Sequence, residues 1–130
     1  MENDAPISPH TRGFRAAIVA IYVAYAVRFW FVADDAYITF RFSQHVANGV
    51  GLRYNVGEHT PVEGYSNYLW LMLAVPLERL HLDVALWMSA LSIAAGVALL
   101  VYVHWTLRRH FDVGEGAANL ATLCLATLPT

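Results

Sequence analysis

Residues 84–107 read VALWMSALSIAAGVALLVYVHWTL, with no Asp, Glu, Lys or Arg from end to end. At 1.5 Å per residue a helix of this length reaches about 36 Å, more than the ~30 Å of a bilayer's hydrocarbon core. Arg108, Arg109 and His110 follow at once. The run is longer than the helices of ordinary soluble cores, so it is expected to cross a membrane. Composition agrees: 58% of the 130 residues are apolar and 14% are charged, against roughly 25% charged in soluble proteins.

Upstream, residues 14–33 form a second apolar run, with Arg15 at its start and Arg28 near its end. Phe29, Trp30 and Phe31 then resemble an interfacial aromatic belt. Arg28 is near enough to that end to reach headgroups, or to pair with a lipid phosphate. A cleaved signal peptide fits less well. A cut after Ala33 puts Phe31 where a small residue belongs, so a retained anchor is expected. A third run, residues 68–77, covers only about 15 Å as a helix. Pro76 is expected to interrupt it, and Glu78 and Arg79 end it.

The positive-inside rule puts Arg12, Arg15, Arg108 and Arg109 on the cytoplasmic side together if only the first run and residues 84–107 cross. The expected fold is therefore all-α and polytopic. Residues 1–13 are cytoplasmic, and 14–33 form the first transmembrane helix. Residues 34–83 form an extracytoplasmic loop with juxtamembrane helices, 68–80 among them. Residues 84–107 form the second span and 108–116 a cytoplasmic loop. Residues 117–130, too short to span, are the start of a third transmembrane helix. The chain is accordingly expected to be the N-terminal part of a larger cell-membrane protein.

Several function classes drop out. The net charge is −2 and all eight basic residues are Arg, which gives no field for nucleic acid. The single cysteine, Cys124, excludes an intrachain disulfide framework and a cysteine-based zinc site. Neither a GxGxxG nor a Walker pattern is present, and no His pair has the HExxH spacing. His45 and His59 share the loop with carboxylates, which leaves a metal site open.

The loop carries the chemistry. Asp34 and Asp35 follow the first run directly, at the outer headgroup level. A carboxylate there can act as general base on a sugar hydroxyl, or hold a divalent cation through its oxygens. The alternative is a solvated helix N-terminus, where Asp suits the dipole. Residues 36–47 predict a short helix stopped by Asn48-Gly49. Ile38, Phe42 and Val46 make its apolar stripe; Tyr37, Arg41 and His45 make the neighbouring one; Phe40 fits neither. If the helix begins at the acid pair, Asp34 and Arg41 share a face. Arg41 can then orient the carboxylate, bind a phosphate, or form a plain surface pair. Gly49-Val50-Gly51 and Asn55-Val56-Gly57 read as turns around a short extended piece, 52–54. Ser66 or Asn67 is the expected N-cap of the run that follows. Tyr65, Tyr68 and Trp70 suit either sugar stacking or interfacial anchoring.

The wording of this loop is more specific than its composition. It runs Asp34-Asp35-Ala36-Tyr37-Ile38, Arg41, Asn48-Gly49-x-Gly51-Leu52, Tyr54-Asn55-x-Gly57-Glu58 and Val62-Glu63-Gly64-Tyr65-Ser66-Asn67-Tyr68-Leu69-Trp70. Over residues 34–70 it resembles the first extracytoplasmic loop of the GT-C glycosyltransferases, in particular the group of the mycobacterial terminal β-(1→2)-arabinofuranosyltransferase. The flanking helices resemble that family in hydropathy alone.

The resemblance implies an inverting enzyme. It would take a sugar from a polyprenyl-phosphate donor at the outer face and pass it to a cell-envelope glycan, lipid or protein hydroxyl. It implies Asp34 or Asp35 as the base, and Asp34 matches the leading acid of the family's pair. Arg41 matches the Arg of an Arg-Tyr-Ala element in which Phe42 and Ser43 stand here for Tyr and Ala. Glu63, Tyr65 and Asn67 match a Glu-Gly-Tyr-Ser/Thr-Asn element that lines the substrate cavity. A lipid phosphate leaves readily, so the mechanism asks for a base and for a cation beside the phosphate. Arg28 is the candidate for that cation, and metal dependence stays open because the family includes both kinds. The rival expectation is a transporter, flippase or assembly subunit with an acidic outer loop. Such a protein would carry polar residues within its spans.

Overall fold

The computed structural model of the chain describes residues 9–57 and 66–128. Among these, all regular structure is helical: α1 (Pro9–Arg28), α2 (Asp34–Ala47), α3 (Tyr68–Arg79), α4 (Val84–Arg109) and α5 (Glu115–Thr127). Among the described residues, α4 alone is long and apolar enough to cross a membrane, and it contains the whole of residues 84–107. α1 ends at Arg28, not at residue 33 as the hydropathy suggests. The aromatic and β-branched run from Phe29 to Val32 is a poor helix former. Ala33 then takes the extended conformation (φ −67°, ψ 153°) that starts α2. The uncharged helical part between Arg15 and Arg28 is thus about 18 Å long, well short of a bilayer core.

The chain divides into two compact units, Met1–Trp30 with Ile93–Thr130, and Phe31–Ser92. In the first, α1, the C-terminal part of α4 and α5 enclose Ile18, Leu100 and Ala126, flanked by Tyr22, Leu123 and Leu125. Gly96, Leu100, His104 and Arg108 recur every fourth residue and so form one face of α4. A side chain at Gly96 would collide with the phenol ring of Tyr22, so glycine is what lets α1 and α4 approach there. Near the end of α4, Glu115 gathers two cations: Arg15 Nη2 donates to its Oε1 at 2.8 Å, and Arg108 Nε lies 3.2 Å from its Oε2. Arg15 is early in α1 and Arg108 late in α4, so these two helices run antiparallel in this unit. Burial pushes the Glu115 carboxyl up, but the hydrogen bond and charge of Arg15, with Arg108 and His104 beyond it, outweigh this and hold it below the usual value.

In the second unit α2 packs on α3. Phe42 is wholly buried against Leu71 and Val75, with Ile38, Val46, Leu52 and Tyr54 around them. This is the stripe expected from the sequence. Phe40, which lay off that stripe, joins Trp70 and Leu77 around Ala74, Val84 and Met88. Residues 52–54 are irregular rather than extended; Leu52 and Tyr54 turn onto α2. Both helices stop in the same way. After α2, Gly49 N–H donates to Val46 and Val50 N–H to His45, with Gly49 at φ +77°. After α3, His81 N–H donates to Glu78 and Leu82 N–H to Leu77, with His81 at φ +54°. These are the paired bonds of a helix ended by a left-handed residue. Pro76 does not interrupt α3, which continues to Arg79. Proline removes only the N–H that would have bonded Met72, and Leu80 N–H closes the last turn on the Pro76 carbonyl.

Truncating the buried ring should loosen this second unit. Phe42→Ala is expected to cost about 3–5 kcal/mol in thermal or denaturant melts of the helical signal. Val56→Ala, at an exposed loop position, should stay within about 0.5 kcal/mol of the parent.

Candidate functional site

The acid pair sits where a helix begins. Asp34 and Asp35 occupy the first turn of α2, and both are exposed. Ala33 at the N-cap offers no side chain to the free N–H groups behind them. The carboxylates supply the negative charge that this end of the helix favours.

That first turn is held from α3. Asn67 Nδ2 donates to Thr39 Oγ1 at 3.2 Å, and Thr39 Oγ1 donates to the Asp35 carbonyl at 3.2 Å. Thr39 is buried, so the chain runs from the start of α3 through the interior to the residue that carries the second acid. Asn67 stands at the N-cap position of α3, but its side chain caps nothing there. It is spent on Thr39, which corrects the capping role expected from the sequence.

Arg41 is fixed away from the acid pair. Its Nε donates to the Tyr54 carbonyl at 2.9 Å, and the guanidinium lies 4.7 Å from the centre of the Tyr54 ring. Among the described residues no ion pair joins it to Asp34, although both lie on one face of α2. His45 hydrogen-bonds the Arg53 carbonyl through Nδ1. Arg28 ends α1 in the other unit, where its guanidinium lies 5.6 Å from the ring centre of its neighbour Phe29. Glu63 and Tyr65, and His59 with them, lie outside the described residues. Among the described residues no three His, Cys, Asp or Glu side chains come together as a metal site.

Beside the acid-bearing turn lies a hollow of about 440 Å³, walled by Tyr37, Phe40, Arg41, Gln44, Tyr54 and Glu78, with Ile38 behind. Gln44 and Glu78 were not legible as site residues. Gln44 had a signal, since it continues the Tyr37–Arg41 face at helical spacing. Glu78 had none, because only the packing of α3 on α2 brings it there. Burial pushes the Glu78 carboxyl up; a hydrogen bond with Ser43 and the charge of His81 pull it part of the way back.

Comparison with protein-family models, curated proteins and solved structures gives no match. The site is therefore read from its own chemistry.

A carboxyl whose folded-state value is raised favours folding most below its ordinary titration range, and that contribution is lost as pH rises through the raised value. Glu78→Gln should therefore melt higher than the parent at neutral pH and match it at about pH 4. Equal melting temperatures at both values would show that Glu78 carries no burial penalty.

Proposed function

We propose that the chain belongs to a polytopic membrane glycosyltransferase that uses a polyprenyl-phosphate sugar, with its reacting groups on the outer face. Three observations support this beside the wording of residues 34–70. The one that carries it is the exposed pair Asp34 and Asp35 at the head of α2, on a helix held in place by Asn67 and Phe42.

The second is the outward face of α3. Leu69 (74% exposed), Leu73, Pro76 and Leu80 (67% exposed) fall on one side of the helix, opposite the buried Leu71, Ala74 and Val75. α3 leads within a few residues into α4, the apolar helix of membrane-crossing length. A helix packed on a soluble partner by one face and apolar on the other suits a membrane surface. The third is the pairing of Arg15 and Arg108 with one carboxylate. It brings the start of α1 and the end of α4 together, as a positive-inside hairpin would; with only about 18 Å of uncharged helix, α1 would need residues 29–33 to complete a crossing. Arg12, Arg15, Arg108 and Arg109 would then be cytoplasmic and residues 34–83 extracytoplasmic.

In this function the acceptor hydroxyl gives its proton to a carboxylate of the pair as its oxygen attacks the anomeric carbon. The bond from that carbon to the phosphate oxygen breaks, and the electron pair leaves with the lipid phosphate. Attack from the face opposite the leaving group inverts the anomeric centre. Arg28 is the candidate to steady the departing phosphate. Glu63, Tyr65 and Asn67 are assigned to the substrate cavity; for Asn67 the tie to Thr39 makes that role one of positioning.

The rival, a transporter or assembly subunit, draws on one feature, the buried His104 beside Glu115. Arg15, Arg108 and Glu115 all lie near helix ends, which suits an interfacial ion cluster rather than a mid-membrane pathway.

The test is sugar transfer from labelled polyprenyl-phosphate sugars, in membranes of cells expressing the whole gene that encodes this chain. One of Asp34→Asn and Asp35→Asn should lower transfer by about 10²–10⁴-fold at matched protein level. Wild-type rates in both variants would reduce the pair to a helix-terminal charge.

A further inference from the structure

We propose that the hollow between α2 and α3 binds a neutral saccharide ring through Arg41, Gln44 and Glu78, with Tyr37 and Tyr54 as its apolar walls. Its role as the acceptor subsite rests on the glycosyltransferase function proposed above; the binding itself does not.

The hollow is an open depression of about 440 Å³, room enough for one sugar ring lying against the surface. The wall chemistry selects the ligand. One guanidinium and one carboxyl face the same space, so their formal charges oppose each other. A phosphate there would gain one attraction and meet one repulsion. A ring of hydroxyls meets neither penalty and uses both groups, since each hydroxyl can donate and accept.

Arg41 is already oriented for this. Its Nε is committed to the Tyr54 carbonyl and its face to the Tyr54 ring. The two terminal nitrogens remain as a planar fork of donors. Gln44, exposed one turn further along α2, adds a donor and an acceptor on one planar group. Glu78 supplies acceptors from the facing helix, and its raised titration range adds a donor as the pH falls. Tyr37 and Tyr54 line the same space and add aromatic carbon and phenol hydroxyls to it; the Tyr54 ring is itself covered by Arg41, so Tyr37 is the wall left for the C–H side of a sugar. A charged lipid headgroup would find no surplus of cations here.

Position links the hollow to the acid pair. Tyr37 is one helical turn from Asp34, a rise of about 4.5 Å along α2. Asp34 and Asp35 do not themselves line the space. A ring seated against Tyr37 is therefore about one helical turn from the residue that carries the first acid.

The experiment is saturation-transfer NMR on the whole 130-residue chain in lauryldimethylamine oxide, a detergent with neither sugar nor phosphate. The probes are methyl α-D-mannopyranoside, methyl β-D-galactopyranoside and methyl α-D-arabinofuranoside, each with and without inorganic phosphate as competitor. At least one glycoside should receive saturation. Gln44→Leu and Tyr37→Ala, both at exposed positions, should weaken that binding by about tenfold while leaving the helical signal intact. Glu78→Leu should do the same, and phosphate should not displace the sugar. The proposal is overturned if no glycoside binds, if phosphate displaces it, or if the three variants bind as the parent does. The two proposals fail separately. Glycoside binding without sugar transfer by the whole gene product keeps the hollow as a sugar site and removes the glycosyltransferase function. Transfer with an acceptor KM unmoved by Gln44→Leu removes the hollow's role as acceptor subsite and keeps the function.

Discussion

The packing of Phe42 between α2 and α3 is the constraint on which the candidate site rests. α2 is 14 residues long, a length at which an isolated helix is marginal in water. Its first turn has no side-chain cap. What keeps Asp34 and Asp35 on an ordered helix is therefore tertiary: the buried ring of Phe42 against Leu71 and Val75, and the relay from Asn67 through Thr39 to the Asp35 carbonyl. The same packing brings Glu78 opposite Arg41 and so creates the hollow. Loss of the ring would remove the acids' support and the wall of the hollow together.

The other unit is governed by charge and by unburied apolar surface. Only 17% of the most apolar stretch of α4 is buried within the chain. Leaving so much apolar side chain against water is costly at roughly 25 cal/mol per Å², so α4 calls for lipid or for further helices around it. Glu115 then matters more than a surface acid would. It is half-buried and flanked by two guanidinium groups, and an ion pair gains strength as the surrounding dielectric falls. It ties the start of α5 to α1 and α4 while Ile18, Leu100 and Ala126 fill the space behind.

What was legible in the sequence follows a physical line. Features set by local periodicity could be read directly: the uncharged run in α4, the Ile38–Phe42–Val46 stripe, and the Asn48-Gly49 stop. Features set by which helix lies opposite could not. Phe40 had no place on a single amphipathic face because α2 has two apolar neighbours, the Leu71–Val75 face and the group of Ala74, Val84 and Met88. Glu78 looked like the polar end of an apolar run, and Asn67 like a cap. The partner of Asn67 is Thr39, 28 residues away on α2, and that of Glu78 is Ser43 on the same helix, farther still in sequence. The pairing of Arg15 with Glu115 spans 100 residues and left no local trace. Two boundaries were misread for local reasons. Hydropathy does not register that the aromatic run after Arg28 is weakly helical, and a proline near the end of a helix forfeits a single bond.

The central claim is that a carboxylate at the head of α2 is the base in sugar transfer from a lipid phosphate at the outer membrane face. An experimental structure of the membrane-embedded whole gene product, with a polyprenyl-phosphate sugar and an acceptor glycoside bound, tests it most directly. The account predicts the acceptor hydroxyl at about 3 Å from a carboxylate oxygen of Asp34 or Asp35, in line with the bond from the anomeric carbon to the phosphate. A donor held with its anomeric carbon out of reach of both carboxylates, or on the side of Arg108 and Arg109, would contradict it.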